Sequence, residues 1–230
     1  MASHRHILLV SLVFLSSISL ALTFDPVVNV NKVHDSGLDP GAINLLLDLH
    51  NSYRRDEKHA NDMFRLEWSK ALEQEAAKWV SQCDFQHHSD PEWGENLFRS
   101  IHHSGVEDAI ESGMRAWHLE RYNIYDREEG LDCCTRTKDT CCSFSQIIWG
   151  SSRFVGCAIR SCDVLRGKTA QDDYTDAVFM ACYYYPRGNV LTQQPYQQGG
   201  GRCSNCTEAA PDCDRGLCYY DTTRCQAIPE

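Results

Sequence analysis

The sequence predicts an α+β fold that is stapled by disulfides and followed by a small cysteine-rich C-terminal tail. Segments with apolar residues at helical spacing occupy the first half of the chain, and two segments rich in β-branched and aromatic residues follow later. Helices that precede strands in this way are typical of an α+β domain and not of a βαβ repeat. Thirteen cysteines, none of them before residue 83, indicate a disulfide framework.

The N-terminal residues are typical of a secretory signal peptide. A basic start at Arg5 precedes an apolar run from Ile7 to Leu20, and small residues surround Ala21. Because this run is short for a membrane span, we expect cleavage near Ala21 and not a retained anchor. Residues 1–21 are therefore predicted to be a signal peptide, and the mature protein is predicted to be secreted and extracellular, with no membrane span.

The first predicted helix follows an irregular lead-in over residues 22–40. Asp39 is suited to cap this helix, and Pro40 is suited to its first turn. The residues that share one helical face are Ile43, Leu46, Leu47 and His50. We expect this face to pack on the core.

The same spacing predicts two further helices. The second runs from about Ser69 to Cys83, and the third begins at residues 104–107, a Ser-Gly-Val-Glu step typical of a capping box. The apolar face of the second helix carries Leu72, Ala76, Trp79, Val80 and Cys83. The apolar face of the third carries Val106, Ala109, Ile110, Gly113, Met114 and Trp117. Both faces are interpreted as core contacts.

The later half of the chain predicts a long β-hairpin. Residues 153–162 and 176–185 are rich in β-branched and aromatic side chains, and the polar stretch between them supplies turn residues. Another short strand is predicted at residues 96–98. These strands form the expected sheet.

The cysteine distribution divides the chain into a main domain and a tail. Eight cysteines precede residue 183, and five follow residue 202. An even set followed by an odd set predicts a closed domain and a tail with one unpaired thiol. Residues 192–202 are polar and glycine-rich, as is typical of a linker, so residues 203–230 form the predicted tail.

The charge balance of the chain is acidic. There are 22 Lys and Arg residues against 32 Asp and Glu residues, which is a formal net charge of −10. Such a balance disfavours nucleic acid and anionic membrane surfaces as partners. Extracellular proteins, a neutral lipid or sterol, and cations remain as classes of ligand.

Six phrases in a fixed order resemble one group of secreted proteins. They are LHNSYRR (49–55), CDFQHHSD (83–90), WGENLF (93–98), AWHLERYNIYD (116–126), FSQIIWGSSRFVGCA (144–158) and VFMACYYYPRGNVL (178–191). Together they resemble the superfamily of cysteine-rich secretory proteins, antigen-five venom allergens and plant pathogenesis-related proteins, known as CAP. The resemblance covers residues 41–191, which we predict to be a CAP (SCP-like) domain.

This resemblance implies an α-β-α sandwich, in which helices cover both faces of a central antiparallel sheet. It also implies a cleft lined by two histidines and two glutamates, which binds a divalent cation such as zinc in many members. Carried over by position, the glutamates are Glu95 of the Gly-Glu-Asn step and Glu120, three residues after a helical tryptophan. The first histidine is either His87, four residues after a cysteine, or His88, directly before a serine.

The second cleft histidine of the family is replaced by Ser143 in this chain. Neutral imidazole is a strong nitrogen ligand for zinc, whereas a serine hydroxyl is a weak ligand unless it is deprotonated. One histidine and two carboxylates remain, a harder set that suits oxygen-preferring cations no worse than zinc. We therefore expect no firmly held cofactor and at most a weakly bound divalent cation. Ser143 is predicted instead to cap a helix that starts at Phe144.

The resemblance also implies much of the disulfide pairing. The implied bonds are Cys83–Cys162 and Cys157–Cys182 in the domain, and Cys203–Cys213 and Cys206–Cys218 in a tail that resembles the hinge of cysteine-rich secretory proteins. Adjacent cysteines rarely bond each other because the geometry is strained. Two cross-bonds are therefore expected between the doublets Cys133-Cys134 and Cys141-Cys142, with their partners left open.

The tail carries two further predictions. Cys225 is left without an assigned partner and is expected to be free or bonded to another molecule. Asn205 begins an Asn-Cys-Thr sequon and is a candidate glycosylation site. A zinc site made of the four paired tail cysteines is the alternative to disulfides, but a secreted chain favours disulfides.

No phrase in the sequence supplies a complete reactive constellation. We therefore predict a secreted, non-catalytic CAP protein, expected to be monomeric, that acts as a binding or effector protein for a lipid or sterol or for a protein partner. One alternative is a venom-like modulator of ion channels, which the resemblance associates with a six-cysteine module after the hinge; one cysteine follows Cys218 here. The other alternative is a metal-dependent hydrolase with a degraded site.

Overall fold

The computed structural model describes residues 37–88, 92–124, 134, 140–191, 193–208 and 210–221. The predicted signal peptide, Cys133 and Cys225 lie outside the described residues, so the predictions made for them stay predictions. Within the described ranges, no helix is both long enough and apolar enough to traverse a bilayer.

The chain forms four α-helices and six strands in the part that the structure describes. The helices are α1 (Pro40–Asp56), α2 (Lys70–Val80), α3 (Val106–Leu119) and α4 (Cys142–Ile147). The strands are β1 (Glu67–Trp68), β2 (Gly94–Ser100), β3 (Phe154–Leu165), β4 (Tyr174–Tyr185), β5 (Asp212–Asp214) and β6 (Leu217–Tyr219). Short 3₁₀ turns follow α3 at Glu120–Ile124 and join β3 to β4 at Ala170–Asp172.

The central sheet is built on the predicted hairpin. Strands β3 and β4 pair antiparallel, β2 adds antiparallel to the other side of β4, and the two-residue β1 pairs parallel with β3. The strand order is therefore β1-β3-β4-β2. This confirms the predicted α+β class, with an antiparallel sheet apart from its short parallel edge.

Strand β4 alternates its side chains between two apolar layers, because successive residues of a strand point to opposite faces. Val178, Met180 and Tyr184 pack with α1, α3 and α4. Phe179 and Tyr183 pack with the buried face of α2, which is Leu72, Ala76 and Val80. The sheet is thus covered on both sides, in the α-β-α order that the family resemblance implies.

Two predicted helix ends differ from the observed ones. The expected capping box of α3 does not form: Gly105 is the N-cap residue, and the backbone N–H of Ser104 donates to Asp108 Oδ2 at 2.8 Å. Asp108 is the third residue of α3, and its carboxylate accepts the Ser104 N–H that Glu107 was expected to accept. Helix α2 ends at Val80 and not at Cys83, where the backbone has a positive φ of 48°.

Five disulfides join described residues. They are Cys83–Cys162, Cys134–Cys142, Cys157–Cys182, Cys203–Cys213 and Cys206–Cys218. Four of these are the pairs that the resemblance implies, and Cys134–Cys142 is a cross-bond between the two cysteine doublets. Cys141 is also disulfide-bonded.

The cysteine-rich tail is hydrogen-bonded onto the main domain. The Cys218 N–H donates to the Met63 carbonyl at 2.7 Å, and the Arg65 N–H donates to the Cys218 carbonyl at 2.8 Å. Asn61 exchanges backbone hydrogen bonds with Gln197 and Asn205 in the same way. The sequence predicts a tail that is joined to the main domain by a linker. These contacts show in addition that the tail packs against the main domain.

Arg54 holds the turn between α4 and β3 to helix α1. Its guanidinium, which is 1% exposed, donates to five backbone carbonyls at 2.8–3.1 Å. The acceptors are the carbonyls of Phe64, Ile147, Trp149, Gly150 and Ser152. Burial lowers the pKa of Arg54 to about 9, so the side chain is still cationic at neutral pH.

His50 links helix α1 to the sheet through a second buried network. Its Nδ1 lies 2.7 Å from the Leu46 carbonyl, which can only accept, so this nitrogen carries the proton. Its Nε2 therefore accepts from the Tyr184 hydroxyl at 2.8 Å, and that oxygen in turn accepts from Asn96 Nδ2 at 3.1 Å. The network ties α1, β4 and β2 together.

Replacing Arg54 with methionine is expected to lower the free energy of unfolding by about 3–5 kcal/mol, because buried carbonyls would lose their donor. Equilibrium urea denaturation with the disulfides intact measures this change. The neighbouring Arg55→Met is the matched control and is expected to change stability by no more than about 0.5 kcal/mol. Equal effects of the two substitutions would refute the role given to Arg54.

Stability is expected to fall in acid because of His50. Burial lowers its pKa from 6.5 to about 4, so between these values the unfolded chain binds a proton that the folded chain does not. The contribution is complete above pH 6.5 and is lost as the pH falls towards 4, by about 3 kcal/mol in total. Urea denaturation at pH 7, 5.5 and 4.5 should show this slope in the wild type and in the exposed-site control His102→Gln, and not in His50→Gln. Parallel slopes for all three proteins would contradict the assignment.

Candidate functional site

Strand β2 presents two adjacent polar residues near its start to opposite faces of the sheet. Glu95 pairs with Tyr183 of β4 and lies on the α2 side. Asn96 donates to the Tyr184 hydroxyl and lies on the side of α1, α3 and α4. The Gly-Glu-Asn step thus supplies one polar group to each layer of the sandwich.

Glu95 is paired with His87 on the α2 side. The His87 Nδ1 lies 2.5 Å from Glu95 Oε1, and the backbone N–H of His88 lies 3.3 Å from each carboxylate oxygen. The Glu95 side chain is only 6% exposed, whereas that of His87 is 65% exposed. The carboxylate is therefore held inside the protein and the imidazole covers it from the solvent.

The structure gives different roles to the two adjacent histidines. The ring of His88 packs against aromatic rings, with centroids 4.8 Å from Trp79 and 6.1 Å from Trp93. His87 is therefore the histidine whose imidazole faces Glu95. His88 contributes its backbone N–H and an aromatic contact.

Two polar atoms close to this pair are buried without hydrogen bonds of good geometry to described residues. They are the hydroxyl of Tyr183 and Nε1 of Trp93, whose ring centroid is 5.2 Å from that of Tyr183. Burial raises the pKa of Tyr183 well above 10, and the negative charge of Glu95 raises it further. The phenol therefore stays neutral at physiological pH.

Glu120 caps helix α4 on the other side of the sheet. Its Oε2 accepts from the backbone N–H of Ser143 at 2.8 Å and of Phe144 at 3.1 Å. These N–H groups belong to the first turn of α4, where the helix leaves them without internal partners and where negative charge is favourable. The carboxylate is thus used as a structural cap.

The prediction that Ser143 caps this helix is wrong. The N-cap residue is Cys141, without a side-chain cap, and the helix runs over Cys142–Ile147, so Ser143 lies inside its first turn. Glu120, which the sequence places 23 residues earlier, takes over the capping role. The Ser143 carbonyl accepts from Asn96 Nδ2 at 2.9 Å, which joins α4 to β2.

The residues present do not fit the divalent cation site that the family implies. Ligand atoms around one zinc ion at 2.0–2.2 Å lie within about 4.4 Å of one another. Among the described residues, His87, Glu95 and Glu120 do not form a group of ligand atoms within 4.8 Å of one another. The structure brings His87 and Glu95 together, directs Glu120 to α4, and has a serine at the position of the second histidine.

A cluster of tail sulfurs is also unsuited to metal binding. The Sγ atoms of Cys203, Cys206 and Cys218 lie within 4.8 Å of one another. Each of these atoms is in a disulfide, however, and the thiolate is the metal-binding form of cysteine. This arrangement favours the disulfide interpretation of the tail over the zinc alternative.

Asn205 lies on the surface of the tail. It is exposed, its Nδ2 donates to Gln197 Oε1 at 2.8 Å, and the next residue is the bonded Cys206. Its glycosylation stays a prediction.

The aromatic and cationic contacts of His118 were not predicted from the sequence. Its ring stacks on Tyr53 of α1 at a centroid distance of 3.9 Å, meets Phe144 edge-on at 5.6 Å, and lies 3.0 Å from Arg121 Nη1. Burial lowers the pKa of His118, and the charge of Arg121 lowers it further. The partners come from three separate elements, so spacing along one helix carried no signal of this cluster.

A groove of about 500 Å³ opens between α2 and β3. Its apolar lining includes Leu38, Ala77, Val80 and Ile159, and its charged lining includes Lys70, Glu73 and Arg160. The groove does not include His87, Glu95 or Glu120. Any ligand held here would therefore lie away from the residues that the family resemblance singles out.

Comparison with known sequences identifies one family. Residues 47–184 match the family model described as CAP, the cysteine-rich secretory protein family. Human Cysteine-rich secretory protein 2 is 32% identical over 192 residues, which cover 79% of this chain and 69% of that protein. Human Peptidase inhibitor 16 is 31% identical over 177 residues, which cover 76% of this chain but 35% of that protein. The chain thus spans about a third of the length of the latter relative.

Comparison with solved structures identifies the same fold. The crystal structure of NaASP2 with Zn²⁺ aligns with a TM-score of 0.64 at 23% identity. The alignment covers 80% of this chain and 98% of that one. At this level of identity the likeness establishes the fold alone.

Proposed function

The chain belongs to the CAP family of cysteine-rich secretory proteins, and from that premise we propose that it is a secreted, non-catalytic binding protein whose ligand is another extracellular protein. The observation that carries this proposal is the use of Glu120 as the cap of α4, together with serine at position 143. The residues expected to hold a reactive metal are separated or replaced, whereas the scaffold around them is heavily cross-linked.

The geometry offers little support for a hydrolase. A serine nucleophile needs a histidine within hydrogen-bond reach. Ser145 is buried; its hydroxyl donates to Asn189 Oδ1 at 2.6 Å and lies 3.2 Å from the Cys142 carbonyl. The pair of His87 and Glu95 lies on the opposite side of the sheet from α4, so it has no serine of that helix to activate.

The relatives support a protein as the ligand. The name of one relative, Peptidase inhibitor 16, describes an inhibitor of peptidases, which are themselves proteins. The match covers only the part of that relative that corresponds to this domain, so the identity of the partner is a proposal for this chain. The acidic charge of −10 is compatible with a protein partner and unfavourable for nucleic acid.

A small lipid or sterol is the second candidate ligand. The groove between α2 and β3 has a volume of about 500 Å³, which lies in the range of about 300–1,000 Å³ that is typical of small-molecule sites. Its apolar residues would contact a hydrocarbon body, and Lys70 or Arg160 would lie near a polar head group.

A cation held weakly at His87 and Glu95 would have two protein ligands and be coordinated mainly by water.

The proposal predicts that the purified secreted protein does not hydrolyse fluorogenic ester and peptide substrates above the buffer rate, with or without added Zn²⁺. The same protein is expected to inhibit at least one of a panel of secreted peptidases, with one-to-one stoichiometry and without being cleaved. Saturable turnover that is lost in Glu95→Gln and kept in the exposed-site control Glu92→Gln would show an enzyme instead. Stoichiometric retention of a fluorescent sterol with no peptidase inhibition would favour the lipid candidate.

A further inference from the structure

A small cavity lies where the cysteine-rich tail meets the edge of the main sheet. Its volume is about 110 Å³, close to that of about four water molecules in the liquid. We call it the arginine–tyrosine notch; its lining includes Phe64, Arg65, Glu67, Arg153, Phe154, Tyr219 and Tyr220. The notch therefore contains side chains from the main domain and from the tail.

Two arginines of the notch are stacked on aromatic rings. The guanidinium carbon of Arg65 lies 4.4 Å from the ring centroid of Tyr219, and that of Arg153 lies 4.2 Å from the ring centroid of Phe64. Backbone hydrogen bonds hold both residues: the Arg65 N–H donates to Cys218, and the Arg153 carbonyl accepts from Glu67. Their positions are therefore set by the docked tail and by the edge of the sheet.

The aromatic contacts do not supply a conventional hydrogen-bond acceptor to either guanidinium group. Each guanidinium carries five N–H donors, which need oxygen or nitrogen acceptors. Among the described residues, neither side chain donates a hydrogen bond or has an acidic partner within 4.0 Å, although Glu67 lines the same cavity. Two cationic side chains that donate no hydrogen bond to the described residues thus line one small cavity.

The surface around the notch exposes aromatic rings. Phe154 is 37% exposed, Tyr220 is 44% exposed, and Tyr185, which pairs with Phe154 across β3 and β4, is 52% exposed. These are three of the eight large hydrophobic residues that the described part of the chain exposes. Tyrosine, phenylalanine and arginine together are the residue types enriched at protein–protein interfaces, where they bind most strongly near the centre.

The charge of the notch is opposite to that of the whole chain. The protein has a formal net charge of −10, whereas the notch contains two arginines and one glutamate. A carboxylate would accept bidentate hydrogen bonds from these guanidinium groups, which lysine cannot offer. Aromatic side chains beside that carboxylate would pack on Phe154 and Tyr220.

We propose that the arginine–tyrosine notch binds an acidic carboxylate carried beside aromatic residues on an extended segment of the protein partner. This rests on the proposed function, since it assigns the surface that the partner uses and the chemistry that this surface recognises. The tail is then part of the binding surface, because β6 supplies Tyr219 and the carbonyl of its Cys218 accepts the Arg65 N–H.

The test uses the full secreted protein, labelled with ¹⁵N, and a synthetic probe, acetyl-Gly-Tyr-Asp-Tyr-Glu-Gly-amide. The acidic probe is expected to shift the Nε–H signals of Arg65 and Arg153 saturably, and its affinity should fall as salt screens the charges. The probe with Asn and Gln in place of Asp and Glu is expected to bind at least tenfold more weakly. Arg65→Lys and Arg153→Lys should each weaken binding of the acidic probe several-fold.

Arg99→Lys is the matched control. Arg99 also stacks on aromatic rings, at 3.9 Å from Tyr174 and 4.7 Å from Phe85, but it lies outside the notch. This variant is expected to bind the acidic probe within twofold of the wild type. Urea denaturation of all three lysine variants shows whether a loss of binding comes from loss of the fold.

Three results would overturn the proposal. Equal binding of the acidic and amide probes would show that the carboxylates are not recognised. If Arg99→Lys weakened binding of the acidic probe as much as Arg65→Lys and Arg153→Lys do, the notch would not be the binding site. Binding that appears only after residues 222–230 are deleted would assign the notch to the chain's own C-terminal segment. None of these results depends on substrate turnover or peptidase inhibition, so failure of this proposal is distinguishable from failure of the proposed function.

Discussion

The buried guanidinium of Arg54 joins helix α1 to the segment that connects α4 with the central sheet. It donates to the carbonyl of Phe64 and to four carbonyls between the end of α4 and the start of β3. Two of these four, those of Trp149 and Gly150, also accept a backbone N–H. The opposite end of α4 is capped by the carboxylate of Glu120. A helix of only six residues is therefore held by a negative charge at its N-terminus and a positive charge at its C-terminus, each with the sign that the helix dipole favours.

This use of charge is one reason why the residues of the implied cleft do not fit a divalent cation site. Glu120 Oε2 caps two backbone N–H groups of α4, whereas Glu95 is paired with His87. The loss of the histidine at Ser143 is compatible with this arrangement. What remains for recognition is the surface, including the seam where the tail adds to the domain.

Local patterns predicted much of the fold, because the helices and strands are amphipathic with clear periods. Asp39 caps α1 as expected through bonds to Gly41 and Ala42, and residues 154–165 and 174–185 form the expected hairpin. The site was less predictable, because its contacts join residues that are distant in sequence. Ser143 has a typical capping side chain, yet Glu120 from another element reaches the same N–H groups. The roles of His87 and His88 depended on where Trp79 and Trp93 lie in space.

Native mass spectrometry of the secreted protein, after exposure to excess Zn²⁺ and removal of free ions by gel filtration, measures whether this CAP domain retains a metal ion. We expect the mass of the metal-free protein, with Glu120→Gln and Glu95→Gln giving the same result. One retained zinc ion per chain in the wild type, lost in both variants, would show instead that Glu95 and Glu120 belong to a working metal site.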